Sequence, residues 1–237
     1  MSSATNNAAQ NSANQTNQEA KQTGAENTGE TWTAPESAFA DMLRESSKTI
    51  KEVVDADQDS VCNVCRSDEA DEGNPFVFCD RCGICVHREC YGTPLTVKIP
   101  EDEWLCDRCE QNAQDEMCAL CPVRYGAMKR TTDWRWCHLS CAMWIPEVFF
   151  RGADGREPID LSQIPGHRWE NDCCHCGSNY GAKMICGHKD CGRTFHITCG
   201  LLNNIFLEYK VVRNAADVIV ALCFEHAKKW QSKKKGR

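Results

Sequence analysis

The chain has 237 residues, a net charge of −7 and no run of eighteen apolar residues, so we expect no membrane span and no membrane partner. Its charge is uneven, because residues 1–117 carry 9 basic and 23 acidic side chains, a net −14, whereas residues 168–237 carry 12 and 6, a net +6. The first half is therefore expected to repel nucleic acid and attract a cationic peptide, while the last third is suited to contact phosphate groups.

Nineteen cysteines are the strongest signal in the composition. The polar stretch after Met1 lacks the apolar core of a secretory signal, so we expect reduced thiols that bind zinc and no disulfides. Small zinc modules need the metal, because their apolar cores are too small to fold unaided. The cysteine spacing is therefore interpreted as a set of zinc sites.

Two segments precede the cysteine-rich part of the chain. Residues 1–36 are rich in Asn, Gln, Ala, Thr and Ser, a composition that predicts disorder. Residues 37–56 predict an amphipathic helix with Ser37 as its N-cap, which either packs on the first zinc module or binds a partner. The residues that share its apolar face are Phe39, Met42, Leu43, Ile50, Val53 and Val54.

The first cysteine-rich segment, residues 60–110, contains eight candidate ligands in four pairs, enough for two tetrahedral zinc ions. In an alternating, cross-brace arrangement the first and third pairs share one ion, and the second and fourth pairs share the other. Sequential pairing stays open, because spacing alone does not exclude it. The cross-brace arrangement gives one ion to Cys62, Cys65, His87 and Cys90, and the other to Cys79, Cys82, Cys106 and Cys109.

This segment resembles a PHD finger. The resemblance rests on His87 as the fifth ligand, in the run Cys79-Asp80-Arg81-Cys82-x4-His87-x2-Cys90-Tyr91-Gly92, and on Trp104 two residues before Cys106. A RING finger, the nearest relative, usually has His as its fourth ligand and lacks that Trp. The resemblance implies that Trp104 belongs largely to the core.

Residues 117–145 contain four candidate ligands for one further ion: Cys118, Cys121, His138 and Cys141. Cys137 competes with its neighbour His138 as a ligand, but His138-x2-Cys141 repeats the interval of His87-x2-Cys90, which favours His138. Residues 146–168 contain several Gly and Pro residues and are interpreted as a linker that lies over the surface.

The third segment, residues 169–228, again has eight candidate ligands for two ions. An apolar insertion before Cys223 predicts two short strands joined at Arg213-Asn214, and residues 229–237 are interpreted as a basic tail. By the cross-brace analogy, one ion is held by Cys173, Cys176, His196 and Cys199, and the other by Cys186, Cys191, Cys223 and His226. The residues interpreted as non-ligands are Cys85, Cys137, Cys174, His167, His175 and His188.

The order of PHD finger, zinc knuckle and extended PHD finger resembles the PZP module of the BRPF, Jade and AF-type chromatin proteins, over residues 60–228. Connecting runs such as Cys118-Ala119-Leu120-Cys121-Pro122 and Glu157-Pro158-Ile159 resemble segments of that module. The resemblance implies small zinc-stabilised α+β modules packed as one unit, five zinc ions and a nuclear protein. It further implies a subunit of a histone-modifying complex of the acetyltransferase type that regulates transcription.

The family reads the N-terminal tail of histone H3, and the resemblance implies where this chain would do so. Asp80 lies where PHD fingers hold the second-residue arginine, and Glu101 and Asp102 lie in the loop that captures the free amine. The strand Phe76-Val77-Phe78 would pair with the extended peptide. Methyl-lysine readers often have Trp two residues before the ligand His, where this chain has Cys85, so we expect a preference for the unmodified fourth-residue lysine.

Basic side chains of the third module are expected to bind DNA phosphates without sequence preference and with strong salt dependence. They are Lys183, Lys189, Arg193, Lys210, Arg213, Lys228 and Lys229.

Three functions stay open from the sequence. The leading interpretation is a chromatin reader and adaptor without catalytic residues, because every predicted zinc has four protein ligands and no open position for water. The alternatives are a RING-like ubiquitin ligase and a protein-interaction subunit that does not bind histones.

Overall fold

The computed structural model describes residues 60–152, 154–203, 205–210 and 218–235. The disorder predicted for residues 1–36, the helix predicted for residues 37–56 and the DNA contact predicted for Arg213 lie outside the described residues. Within them, no helix has both the length and the apolar character that crossing a membrane requires.

Each zinc module is built from a short antiparallel hairpin followed directly by a short helix. The first module has β1 (Phe76–Phe78), β2 (Cys85–His87), α1 (Arg88–Tyr91) and α2 (Asp107–Glu110). The second has β3 (Met128–Arg130), β4 (Trp136–His138) and α3 (Leu139–Trp144). The third module has β7 (Met184–Ile185), β8 (Thr194–Phe195) and α4 (Ile197–Leu202).

The His-x-x-Cys motif lies at the strand-to-helix boundary of every module. The histidine backbone is extended, with φ −68° and ψ 145° at His87, and the next residue begins the helix that contains the cysteine. This change of direction brings the imidazole and the thiol to the same side of the chain. The three pairs are His87 with Cys90, His138 with Cys141, and His196 with Cys199.

The segment interpreted as a linker is folded. Its residues form an antiparallel hairpin of β5 (Phe149–Gly152) and β6 (Glu157–Asp160), followed by a 3-10 helix at Gly166–Arg168. Ile159 of β6 is fully buried and bridges to Thr131 of the second module. The Gly and Pro residues mark the turn and the edges of this hairpin, and its apolar face packs on the knuckle.

The apolar insertion of the third module forms the expected pair of strands. β9 (Phe206–Lys210) and β10 (Val218–Leu222) are antiparallel, with Phe206 opposite Leu222. Helix α5 (Phe224–Lys235) follows, and the ring of Trp230 contacts that of Phe206 with centroids 3.9 Å apart. The helix therefore continues through most of the segment interpreted as a basic tail, because lysine is a good helix former.

The zinc knuckle connects two apolar cores. Its residues Ala127 and Leu139 are buried in the core of the first module. Its residues Leu120, Met128 and Trp136 are buried in the second core, which continues into the third module. The three modules therefore pack as one unit with the knuckle in the middle.

A glycine allows the third module to approach the knuckle closely. Gly181 has φ +81°, and a Cβ atom at this position would lie 2.4 Å from the carbonyl oxygen of Leu120. The neighbouring amide of Ala182 donates a hydrogen bond to that carbonyl at 3.1 Å, and the Tyr180 hydroxyl donates to the Cys118 carbonyl at 3.0 Å. Only glycine permits both the backbone angle and the short separation.

Candidate metal centres and binding surfaces

Five groups of four ligand side chains lie in the described part of the chain, and the ligand atoms of each group lie within 4.8 Å of one another. In both eight-ligand modules the groups follow the cross-brace partition and exclude sequential pairing. In the knuckle, the third ligand in chain order is His138, and the group does not include Cys137. The groups are Cys62, Cys65, His87 and Cys90; Cys79, Cys82, Cys106 and Cys109; Cys118, Cys121, His138 and Cys141; Cys173, Cys176, His196 and Cys199; and Cys186, Cys191, Cys223 and His226.

The histidines of three groups are oriented by a hydrogen bond on the ring nitrogen that faces away from the thiols. Nε2 of His87 lies 2.7 Å from the carbonyl oxygen of Glu69, while its Nδ1 lies 3.3 Å from Cys65 Sγ. The same contact joins His138 to the Tyr125 carbonyl at 2.8 Å and His196 to the Tyr180 carbonyl at 2.5 Å. A proton on Nε2 satisfies the carbonyl and leaves Nδ1 as the metal ligand.

Thiols this close together cannot all ionise without a cation. Hydrogen bonds from the side chains of Cys65 and Cys90 lower the pKa of Cys62, and the Cys62 thiolate in turn raises the pKa of Cys90. The amides of Val64 and His87 also donate to Cys62 Sγ, at 3.4 and 3.3 Å. A divalent ion removes the repulsion among the thiolates, so the group is suited to a metal with an affinity for sulfur.

The donor sets fit structural zinc. One group has four cysteines and the other four have three cysteines and one histidine, the compositions that hold Zn²⁺ tetrahedrally. Four protein ligands fill each site and leave no position for a catalytic water.

The remaining cysteines and histidines lie outside these groups. Burial raises the pKa of Cys85 to about 12, which makes this thiol unreactive. His188 stacks on the ligand His226 with ring centroids 3.7 Å apart. The other side chains outside the groups are Cys137, Cys174, His167 and His175.

A fully buried lysine joins the first module, the knuckle and the β5–β6 hairpin. Lys129 Nζ lies 3.0 Å from Asp107 Oδ2 and 3.2 Å from Glu157 Oε1, and it donates to the Thr93 carbonyl at 2.8 Å. The ammonium also lies 4.3 Å from the centre of the Tyr91 ring. No feature of the sequence distinguishes Lys129 from a solvent-exposed lysine, so the sequence does not predict its structural role.

The predicted peptide-binding strand has an open edge in the described part of the chain. The amide of Cys79 donates to the Ile84 carbonyl and that of Arg88 to the Pro75 carbonyl, so the main-chain groups of Phe76 and Phe78 point away from β2. No described strand pairs with this outer edge of β1. An extended peptide has room to add to it.

The acidic residues predicted to bind the peptide lie beyond the end of β1. Asp80 Oδ2 accepts a hydrogen bond from the Trp104 amide at 2.7 Å, and the Asp80 amide donates to the Trp104 carbonyl. This pair of bonds holds Trp104, which follows Glu101 and Asp102 by two to three residues, beside Asp80, and all three carboxylates are exposed. Val77, in contrast, has a buried side chain and lies opposite Val86 with its main-chain groups directed at β2, so it offers a peptide neither side chain nor backbone.

The structure corrects one predicted DNA contact. Lys183 is fully buried, and its ammonium donates to the carbonyls of Trp169, Asn179 and Gly181 at 3.2, 2.6 and 2.9 Å. Burial lowers the pKa of Lys183, and its three carbonyl partners identify it as a structural residue. The sequence indicates the positive charge of Lys183 but not the exposure of its side chain.

The other predicted contacts are exposed, apart from Arg213, which is outside the described residues. Arg193 forms an ion pair with Glu225 at 2.7 Å, and Lys210 forms one with Glu208 at 3.3 Å. The other side chains predicted to contact DNA that are exposed are Lys189, Lys228 and Lys229.

Comparison with known proteins identifies the modules. Residues 73–110 match the family described as PHD-finger, and residues 116–226 match the family described as PHD-zinc-finger like domain. The crystal structure of the zebrafish PHF14 PZP module resembles this chain with a TM-score of 0.59 and 30% sequence identity, covering 73% of this chain and 91% of that one.

Curated relatives extend this result. Jade-1 of Mus musculus is 40% identical over 176 residues, and Jade-1 of Danio rerio is 44% identical over 167 residues, which are 73% and 68% of this chain. The mouse relative named E3 ubiquitin-protein ligase Jade-2 is 40% identical over 176 residues. The matches span about a fifth of the length of each of these relatives, 20–21%. The chain therefore belongs to the family of PZP-module chromatin proteins, and its module is of the Jade type.

Proposed function

We propose that this protein is a nuclear chromatin reader and adaptor that binds the N-terminal tail of histone H3 through its first PHD finger. The observation that supports this most directly is the open edge of β1, which is followed two residues later by the exposed carboxylate of Asp80; hydrogen bonds join Asp80 to Trp104, close in sequence to the exposed Glu101 and Asp102. Main-chain hydrogen bonds to such an edge provide affinity, and the carboxylates select a peptide with a free amine and an arginine. In this role the protein is a subunit of a histone-modifying complex of the acetyltransferase type.

The surroundings of β1 favour an unmodified lysine. A trimethylated lysine needs several aromatic rings around its ammonium. Phe76 is stacked on His87 with centroids 4.6 Å apart, and Trp104 is buried against Tyr91, which leaves Phe78 as the exposed ring of this strand. A single ring forms no cage. The exposed carboxylates that precede β1 can instead accept hydrogen bonds from an ammonium that still carries its protons; they are Asp68, Glu69, Asp71 and Glu72.

Titration calorimetry with H3 peptides tests the proposal. We expect the unmodified peptide to bind more tightly than the peptide trimethylated at the fourth residue. The substitution Asp80→Asn keeps an oxygen acceptor for the Trp104 amide but removes the charge, so it should weaken binding roughly tenfold or more without unfolding the module.

Asp190→Asn, which removes an exposed carboxylate of the third module, is the matched control and should leave the peptide affinity unchanged. Equal or tighter binding of the trimethylated peptide would reject the preference. Undiminished binding by Asp80→Asn would reject the assignment of the peptide to the acidic groove, which is the open edge of β1 together with Asp80, Glu101 and Asp102.

We further propose that exposed cations of the third module contact the DNA backbone. Lys228 and Lys229 lie on α5, which continues into further lysines of the sequence. For three to four phosphate contacts, raising the salt concentration fourfold should lower the affinity for duplex DNA roughly 40- to 150-fold. The double substitution Lys228→Ala/Lys229→Ala should flatten this dependence, while Lys98→Ala in the first module should not. A salt-independent affinity would contradict the phosphate contacts.

Ubiquitin ligation is the competing function, because the Jade-2 relatives of Mus musculus and Homo sapiens carry that name. The position of His87 as fifth ligand favours the PHD finger over the RING finger. An in vitro ubiquitination assay separates the two functions, and we expect no ubiquitin transfer by this chain.

A further inference from the structure

A cavity between the knuckle and the third module belongs to none of the surfaces described so far. Its volume is about 370 Å³, within the range of roughly 300–1,000 Å³ typical of small-molecule sites. It is lined by aromatic side chains, three arginines and two carboxylates. This mixture of groups differs from the acidic groove at β1 and from the basic surface of α5.

Trp134 is the most unusual residue of this cavity. It lies at the tip of the β3–β4 hairpin, its side chain is 81% exposed, and its φ is +65°, an angle that bulky residues rarely adopt. Its amide donates to the Thr131 carbonyl at 3.1 Å, and its carbonyl accepts from Arg130 Nη1 at 2.7 Å. The hairpin therefore presents a large aromatic face to solvent on a backbone that hydrogen bonds hold in place, the arrangement of a stacking platform.

The cavity offers hydrogen-bond donors for an anionic group. The guanidinium groups of Arg124 and Arg135 are exposed on its lining, and Arg135 binds Asp133 through Oδ2 at 2.6 Å. The third arginine, Arg130, lies 4.1 Å over the buried ring of Trp136, which forms the floor of the cavity. Guanidinium groups are the side chains best suited to a phosphate.

The cavity also offers acceptors. The side chains of Asp115 and Glu116 are exposed and line it together with the arginines. A ligand that was only anionic would be repelled by these carboxylates, and one that was only cationic would be repelled by the arginines. A ligand that presents a flat face, a set of N–H donors and an anionic group would complement the exposed ring, the carboxylates and the arginines together.

We propose that this cavity binds an unpaired guanine nucleotide, with the base stacked on Trp134. Guanine presents N–H donors along its Watson–Crick edge, which suit Asp115 or Glu116, while its phosphate suits the arginines. Bases that are splayed out of a single strand are recognised by this combination of stacking and edge contacts. The site is independent of the histone groove and of the basic surface of α5.

Binding of guanosine 5′-monophosphate and of the single-stranded RNA UUGUU to the full, zinc-loaded chain tests this site. UUGUU should bind more tightly than UUUUU, and Trp134→Ala should weaken the binding of UUGUU roughly tenfold or more. Trp134→Phe should retain most of the affinity, because it keeps an aromatic face. Glu116→Gln should reduce the preference for UUGUU over UUUUU.

Controls separate this site from the other surfaces. Phe149→Ala removes another exposed ring and should leave RNA affinity unchanged. Every variant should also keep the zinc content of the original protein. Duplex DNA should not displace guanosine monophosphate, whereas UUGUU should. Equal binding of UUGUU and UUUUU, full affinity of Trp134→Ala, or displacement of the RNA by a peptide of mixed charge would each overturn the proposal.

Discussion

Replacing Cys106 with serine is expected to remove one of the five zinc ions and to unfold the first module. Cys106 is buried, and its group holds the second half of that module to the turn at Cys79 and Cys82. Metal binding in such modules supplies folding free energy directly, with apparent values of about 10–16 kcal/mol per structural zinc in finger peptides. The folding free energy lost with the zinc ion therefore exceeds the free energy that the small apolar core of this module supplies.

Zinc content and circular dichroism of the purified variant measure this effect. The matched control is Cys85→Ala, which removes a buried thiol of the same module that lies outside every ligand group. It should keep five zinc ions and lose about 1 kcal/mol of stability, a typical value for a point substitution. A Cys106→Ser protein that retains five ions, or a Cys85→Ala protein that loses one, would show that the ligands are assigned incorrectly.

Replacing Lys129 with methionine is expected to destabilise the packed modules by about 1–3 kcal/mol, because it leaves two partly buried carboxylates and a carbonyl without their donor. Asp107 loses its ion pair with Lys129. Burial raises the pKa of Glu157 and the charge of Lys129 counteracts this effect, so the substitution leaves the Glu157 carboxylate less stable. The Thr93 carbonyl also loses its donor. The separation of the first module from the knuckle should accompany the loss of stability.

Denaturant unfolding of the zinc-loaded chain, followed by hydrogen exchange at β3 and α2, measures both effects. Lys98→Met is the control, because Lys98 forms an exposed ion pair with Glu101 and should change stability by about 0.5 kcal/mol or less. If Lys129→Met is as stable as Lys98→Met, the buried cluster does not hold the modules together.

The sequence predicts the zinc ligands well because the metal imposes strict local rules. A thiolate pair needs a tight turn, and the ligand histidine lies at a strand-to-helix boundary. The spacing alone therefore predicts both which residues bind zinc and the local structure around them. It left the choice between cross-brace and sequential pairing open, since that choice depends on contacts between distant segments. The structure settles it through groups such as the one that joins Cys62 to Cys90.

Contacts between modules could not be predicted in the same way. Lys183 and Lys129 are both fully buried, yet a lysine in a polar segment is normally assigned to the surface. Residues 146–168 were interpreted as a linker because Gly and Pro interrupt their apolar pattern, although Ile159 packs against the knuckle. Trp134 lies in a turn, and an aromatic residue among turn residues was the available signal that this hairpin tip differs from the others.

Native mass spectrometry of the full chain, combined with thiol counting after denaturation, tests the central claim most directly. We expect a folded species that carries five zinc ions and, after unfolding in chelator, 19 reduced cysteines. A folded species without metal, or one in which the ligand cysteines are oxidised to disulfides, would contradict it.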